Sequence, residues 1–600
     1  MNTIAKKLLL PVIIIVMLSG FWFSPEFQEI AAGVAIFLIG MLMLEDGFRL
    51  FSGGFLERIL ERATRSVTRS LLFGIFSTTV MQSSSLVSVI TISFLSAGLI
   101  SLLAGVGIIF GANLGTTTGA WLVAGFGMKV NIAAYAMPLL AVGVVLVFQS
   151  SKYLRGFGYV LAGLGFLFLG IHHMKEGFET FRSAFDLTRL ALTGVLGLMV
   201  YTLFGTLATV VMQSSHATMV LIITALAANQ ISYENALALA IGANIGTTIT
   251  AILGSLTANY QGKRLALAHL VFNLVTAAVA LGFISPLREA VEFTSGILGI
   301  AEDDFALKLA VFHSLFNSLG IILMLPLLGR LILMVERVIK APASDLSQPR
   351  YLTEAVDEFP ATIEIAMQKE VKHLYDNAVE LITHGLNLHR HELFAAKDIE
   401  ALVAKSRKQV EFDIDQRYEW RIKTLYSAIL DFATRASSKA LPQELVARVY
   451  QLRDVAERTV RAVKAVKHLR RNTTHYTIRP QGAITDLYDG LRTDIARILV
   501  EVERLERAAP ESRSRLWLDD ELQHVEITYN QTSARIESLI RGDQISAKVA
   551  TSFLNDSNYA YDAMRELIEA ARGFYVERDS ALAEVEQILA IDDDDTDRVA

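Results

Sequence analysis

Two polar strings interrupt apolar sequence and hold the residues best able to do chemistry: Gln82-Ser83-Ser84-Ser85 and Gln213-Ser214-Ser215-His216. Each is followed by a second string, Asn113 with Thr116 and Thr117, then Asn244 with Thr247 and Thr248. Such amides and hydroxyls offer N–H and O–H donors beside neutral oxygen acceptors. No Arg or Lys lies between residues 71 and 99 or between 202 and 229. An oxyanion held there would draw its positive field from free N–H groups at helix N-termini, and the helices beginning just after Ser83 and Ser214 would supply them. Hydroxyl, amide and carbonyl oxygens equally suit a hard cation such as Na+. Binding cation and anion together cancels charge where a lone multivalent anion would be costly to bury.

These strings belong to one pattern written twice, over residues 72–120 and 203–251, at a constant offset of 131 without a gap. Leu72-Phe73-Gly74 returns as Leu203-Phe204-Gly205, and Gly111-Ala112-Asn113-Leu114-Gly115-Thr116-Thr117 returns as Gly242-Ala243-Asn244-Ile245-Gly246-Thr247-Thr248. An isolated Ser, Thr or Gly in a membrane helix mostly serves close packing. Duplicated apolar segments broken by polar, Gly-rich strings point instead to a transporter with its site between two repeats.

The chain has 600 residues, 52% hydrophobic and 19% charged, and no cysteine, which excludes disulfides and thiolate metal sites. Up to about residue 340 it is apolar with sparse ions; beyond, it is rich in Glu, Asp, Lys and Arg. A membrane domain followed by a soluble one is the expected organisation. A span needs ~20 apolar residues, and the candidates are 8–24, 28–52, 103–125, 132–150, 156–176, 234–256, 265–285 and 306–334. The run after Lys6 and Lys7 reads as a retained first helix, because Ser19 to Ser24 lacks a small-x-small cleavage site. Stretches 71–99 and 202–229 read as re-entrant hairpins, since polar breaks at that depth are tolerated only inside protein or beside an aqueous cavity. With Lys6 and Lys7 inside, this threading also places Arg58, Arg62, Arg65, Arg69, Lys152, Arg155, Lys263, Arg264, Arg337 and Lys340 inside. One span, one hairpin and two spans make each repeat odd in crossings, so the second copy is inverted and the hairpin tips approach from opposite sides.

On the paired Gln-Ser-Ser strings and the duplication, the chain resembles the sodium-dependent phosphate cotransporter family (type II Na/Pi, bacterial branch) over about residues 28–335. Gln82-Ser83-Ser84-Ser85 matches its Gln-Ser-Ser-Ser hallmark in full, whereas His216 replaces the last serine of the second copy. The resemblance implies inorganic phosphate as substrate and Na+ as driving ion.

Other residues carry weaker expectations. Glu45-Asp46 and Lys175-Glu176 recur before Gly-Phe, and His269 and His313 head twin His-x-x-Phe-Asn segments ending at Asn273 and Asn317, placed to brace the hairpins. Lys308 is expected to snorkel to an interface. The expected domains are an N-terminal membrane helix 1–27, a membrane domain 28–340 with repeats near 28–150 and 156–285 and a final helix 306–334, a linker 341–359, a helical domain 360–590 and an acidic tail 591–600. Breaks near 393–397, 437–443, 472–483, 508–516 and 541–545 divide the helical domain into about six helices, read as two three-helix bundles. In order and helix pattern it resembles PhoU-like regulatory domains. Glu411, Asp413, Asp415 and Glu419 read as a solvated face, so no metal site is assigned.

The expectation is an all-α membrane protein of two inverted repeats, followed by a cytoplasmic helical-bundle domain. It would move phosphate with Na+ across a bacterial inner membrane by alternating access. It has no expected cofactor beyond the coupling ion and no expected nucleic-acid partner; a homodimer is left open. A phosphate exporter and a membrane-anchored phosphate sensor are the alternatives. An enzyme is disfavoured, because no GxxxxGK[ST] loop or nucleophile–base set is present.

Overall fold

An apolar segment out of contact with water must pair its backbone groups internally, which makes helix the default over such sequence. The computed structural model describes residues 24–52, 66–127, 132–184, 192–341, 347–439, 441–479, 482–508 and 515–575, with residue 64 and a few positions between 11 and 22. All regular structure among these is helical. The protein forms two compact units, residues 1–342 with 353–362, and residues 343–352 with 363–600.

Among the described residues of the first unit, seven helices are long and apolar enough to cross a membrane: Pro25–Phe48, Leu102–Gly125, Lys152–Thr180, Gly194–Met212, Tyr233–Ser255, Tyr260–Gly282 and Phe305–Met324. The expected span 8–24 falls largely outside the described residues, as does the tail 591–600. Stretch 132–150 forms a shorter helix, Ile132–Val147, with Pro138 inside it. The expected single helix 306–334 is two, Phe305–Met324 and Leu328–Val338. Pro326 divides them, since it has no N–H to give to a continuing helix.

Each interrupted stretch is a pair of helices: α1 (Val67–Met81) and α2 (Ser84–Ser96) in the first copy, α3 (Gly194–Met212) and α4 (Ser215–Ala227) in the second. The Asn-bearing helices Leu102–Gly115 and Tyr233–Gly246 pack against α1 and α3 respectively. Repeated glycines set these contacts. A Cβ on Gly111 would lie 2.0 Å from the Leu71 carbonyl, and one on Gly242 would lie 2.0 Å from the Thr202 carbonyl. Gly74 and Gly205 face back in the same way, each with a built Cβ 2.1 Å from a carbonyl of the partner helix.

A second glycine register, which the sequence expectations did not include, joins helix Pro25–Ser52 antiparallel to helix Lys152–Ala184. Gly33, Gly40 and Gly47 meet Gly170, Gly163 and Gly156 in turn, and Gly177 extends the second series against Ile30; both series are spaced by seven. A Cβ on Gly40 would come within 2.6 Å of the Leu167 nitrogen. Small residues permit this backbone approach, which replaces the hydrophobic drive that lipid surroundings remove.

Among its described residues, the second unit has six long helical stretches: Pro360–Gly385, 414–437, Gln443–Thr477, Ala483–Arg507, Arg515–Arg541 and Ala547–Tyr575. The break expected at 393–397 is wider, with short helices Arg390–Ala395 and Ile399–Lys405 inside it. Fully buried Arg492 fixes this segment by donating to the carbonyls of Leu386 at 2.9 Å, Val403 at 3.3 Å and Ser406 at 3.2 Å. Helix pairing also crosses the boundary expected between two bundles, because Ala547–Tyr575 packs on Gln443–Thr477 as well as on both helices between them.

Gly111→Ala should lower the thermal midpoint of the purified protein in detergent, since overpacking costs about 1–3 kcal/mol. Gly282→Ala, where a Cβ meets nothing within 4 Å, should leave the midpoint unchanged or raise it. Equal behaviour of the two variants would show that the glycine contact does not set stability.

Candidate functional site

Local chain chemistry builds each tip before any long-range contact is made. Helix α1 stops because Gln82 adopts the left-handed conformation, φ 52° and ψ 21°, and Gln213 ends α3 with φ 52° and ψ 22°. That region is sparsely used by residues with a Cβ, at a cost on the order of 1 kcal/mol or more. Ser83 and Ser214 follow in extended conformation, and their hydroxyls accept from Leu86 N at 3.2 Å and Ala217 N at 3.1 Å. Each is therefore the N-cap of the second arm. Ser84 and Ser215, both buried, open that arm, with Ser85 and buried His216 next. The free N–H groups of this first turn face the tip.

The two tips meet at residues 118–119. The Gln82 amide donates to the Thr118 hydroxyl at 3.2 Å. The Cε1 edge of the His216 ring meets Gly119, where a Cβ would fall 1.5 Å from that atom, and the ring stacks on Phe37 with ring centroids 5.9 Å apart. The arms cross between repeats to reach this point. Helix α4 packs against Thr117–Leu122 of the first copy, while α2 packs against Thr248–Ser255 of the second. Thr118 and Gly119 were missed in the sequence because the second copy has Ile249 and Thr250 there, so neither belongs to the repeated string.

Thr116, Thr117, Thr247 and Thr248 turn their hydroxyl hydrogens inward, to the carbonyls of Asn113 (2.6 Å), Leu114 (2.8 Å), Asn244 (2.6 Å) and Ile245 (2.7 Å). Their oxygens remain acceptors. Asn113 and Asn244 are buried and braced by the twin His segments. His313 Nε2 lies 3.0 Å from Asn244 Oδ1, and His269 Nε2 lies 3.5 Å from Asn113 Oδ1. Asn273 and Asn317 each bond the carbonyl of their own His, at 3.1 and 2.8 Å.

Pairing differs between the copies. In the second, Asn244 donates to Asn317 Oδ1 at 2.8 Å, and Thr209 donates to Thr218 at 2.8 Å across the hairpin. In the first, the atoms at matching places, Asn113 Nδ2, Asn273 Oδ1 and Thr78 Oγ1, are buried without a protein partner. Val87 stands where the second copy has Thr218, so Thr78 has no hydroxyl opposite. Gln213 is exposed, and Ile249 gives its amide no counterpart of Thr118.

Charged residues lie apart from this centre. Lys308 is 4% exposed and bonds the half-exposed Glu292 at 2.5 Å and the Glu302 carbonyl at 2.8 Å. Glu29, His173 and Glu176 bring their ligand atoms within 4.8 Å of one another. Each side chain is more than a third exposed, which suits a hydrated ion-pair cluster at helix ends. In the second unit, Asp413 caps a helix by accepting from Gln416 N, Asp415 pairs with Lys467 and Glu419 with Lys423, so these carboxylates do not converge.

The profile of the family described as Na+/Pi-cotransporter matches residues 36–176 and 187–309, one repeated string in each segment. The chain is 29% identical over 312 residues to YqeW of Bacillus subtilis (strain 168), covering 51% of this chain and 96% of that protein. It is 25% identical over 421 residues to YjbB of Escherichia coli (strain K12), named as a candidate inorganic phosphate export protein, covering 69% and 72%. The YjbB of Salmonella typhimurium is 26% identical over 368 residues, covering 60% and 65%. No solved structure matches the chain.

Asn244→Ala should destabilise by about 1–3 kcal/mol, because it strands two buried partners, whereas Asn113→Ala should cost less; thermal unfolding in detergent compares them. Gly119→Ala should destabilise wild type through the His216 ring and do so less in a His216→Ser background. Additive effects in that double-mutant cycle would deny the contact.

Proposed function

We propose that this chain, which matches the Na+/Pi-cotransporter family over residues 36–176 and 187–309, is a secondary active transporter moving inorganic phosphate, coupled to Na+, across a bilayer. The observation that carries this reading is the pair of hairpin tips, turned by the same left-handed Gln and meeting at Thr118–Gly119. A tetrahedral oxyanion there would accept from the first-turn N–H groups of α2 and α4, from the Gln82 and Gln213 amides, and from Ser83, Ser84, Ser85, Ser214 and Ser215. Na+ would take hydroxyl and carbonyl oxygens around Asn113, Thr116, Thr117, Asn244, Thr247 and Thr248. Occupying both sites keeps the net charge entering the apolar unit low. The unpartnered Asn113, Asn273 and Thr78 atoms support a polar occupant near the first tip.

The charge pattern of the loops supports inversion of the second repeat, with the first hairpin entering from the cytoplasm and the second from outside. The same threading puts the helical unit in the cytoplasm, where it would act as a PhoU-like regulator. No enzymatic step is part of this proposal. Export is the second reading, favoured by the name of the Escherichia coli relative; the Na+ gradient and the phosphate gradient set the direction of a reversible carrier.

Purified protein in proteoliposomes should accumulate radiolabelled phosphate when an inward Na+ gradient is imposed. Gln82→Ala and Gln213→Ala should each abolish that flux without loss of insertion. Accumulation indifferent to Na+ would remove the coupling, and normal flux in both variants would remove the hairpin site.

A further inference from the structure

After the last membrane helix, the chain does not simply leave the first unit. Residues 343–352 count with the helical unit, 353–362 return to the membrane unit, and the chain leaves again at Ile363. The first of these segments is anchored by fully buried Glu370, whose carboxylate accepts the backbone N–H groups of Arg350 and Tyr351, each at 2.8 Å. The second ends in the first turn of helix Pro360–Gly385.

Segment 353–362 is seated on the base of the first hairpin. Ser93, in the last turn of α2, is fully buried and donates to the Ala355 carbonyl at 2.8 Å. Its oxygen lies 3.3 Å from the hydroxyl of Thr362, which bonds back to the Val356 carbonyl at 2.6 Å. Val356 is fully buried, and Ala355 packs in one apolar cluster with Ile92, Leu95 and Val335. The Ser93 and Thr362 hydroxyls and the Ala355 and Val356 carbonyls are thereby paired.

Among the described residues, the second copy shows no such contact. The residue matching Ser93 is Thr224, whose hydroxyl bonds the Val220 carbonyl of its own helix at 2.9 Å. Among the described residues, the tie to sequence beyond the membrane helices is thus made at Ser93 and not at its match Thr224. The tie is on α2, the arm capped by Ser83 at the candidate site.

We infer that segment 353–362 is a latch through which the helical unit controls the first hairpin, with Ser93 as the residue that couples them. This rests on the transport reading above, and it names the regulation of that site. Movement of α2 during alternating access requires the Ser93 bonds to yield, so a rearrangement of the helical unit, continuous with Thr362 along one helix, restrains or frees transport.

The chain has no cysteine, so Ser93→Cys with Thr362→Cys introduces one disulfide-forming pair. Their hydroxyl oxygens are 3.3 Å apart, close enough for two thiols to reach bonding distance with small rotamer changes. Full-length double variant in proteoliposomes, oxidised with diamide, is expected to form the disulfide and lose Na+-driven phosphate flux at least tenfold. Dithiothreitol should restore the flux, and neither single variant should respond to diamide. Ser93→Ala, which removes the bond without a cross-link, should raise flux. A disulfide in good yield with unchanged flux would overturn the latch, as would failure of the disulfide to form. Flux absent from the parent protein as well would instead sink the transport reading on which the latch depends.

Discussion

The structure depends on one constraint: backbone that leaves a helix in apolar surroundings must have its N–H and C=O groups satisfied at once. Two Gln-Ser pairs meet it. Gln82 closes its helix with a left-handed residue whose N–H bonds the Thr78 carbonyl at 2.7 Å, and Ser83 opens the next helix by capping Leu86 N. Gln213 and Ser214 repeat the turn with nearly the same dihedral angles. The uncapped N–H groups left in each first turn are the donors that the proposed anion site would use, so the device that makes the break tolerable is also the one the transport reading calls on.

Close backbone approach is the second requirement, because tips placed loosely would not converge. Gly74 against the Ile108 carbonyl and Gly111 against the Leu71 carbonyl fix the first arm on its Asn-bearing helix, and the second copy repeats this with Gly205 and Gly242. Gly119 then opens the space that the His216 ring fills. Glycine here supplies absent volume rather than unusual dihedral angles.

The copies share a scaffold and differ in their polar pairing. Thr209–Thr218 and Asn244–Asn317 hold the second copy together, while Thr78, Asn113 and Asn273 leave the first with unspent donors and acceptors. Ser93, tied to Ala355, adds a further difference on the same side.

The sequence by itself determined the helical class, the duplication, both helix interruptions and the polar strings at the tips, since periodicity, capping residues and a constant offset are local properties of the chain. It also marked His269 and His313 with their asparagines as braces, though not which Asn each would hold. It did not reveal the glycine zipper, although a seven-residue spacing carried that signal in Gly33, Gly40, Gly47 and the series from Gly156. Thr118 and Gly119 were invisible to a repeat-based reading because the second copy replaces them. The split of 306–334 at Pro326 was readable but outweighed by its hydropathy. Tertiary structure alone decided that α2 and α4 each pack on the other repeat, that Lys308 pairs with Glu292, and that residues 353–362 return to the membrane unit. Each of these joins residues remote in the chain, and the strength of a hydrogen bond or packed contact depends on distances that only the assembled fold sets.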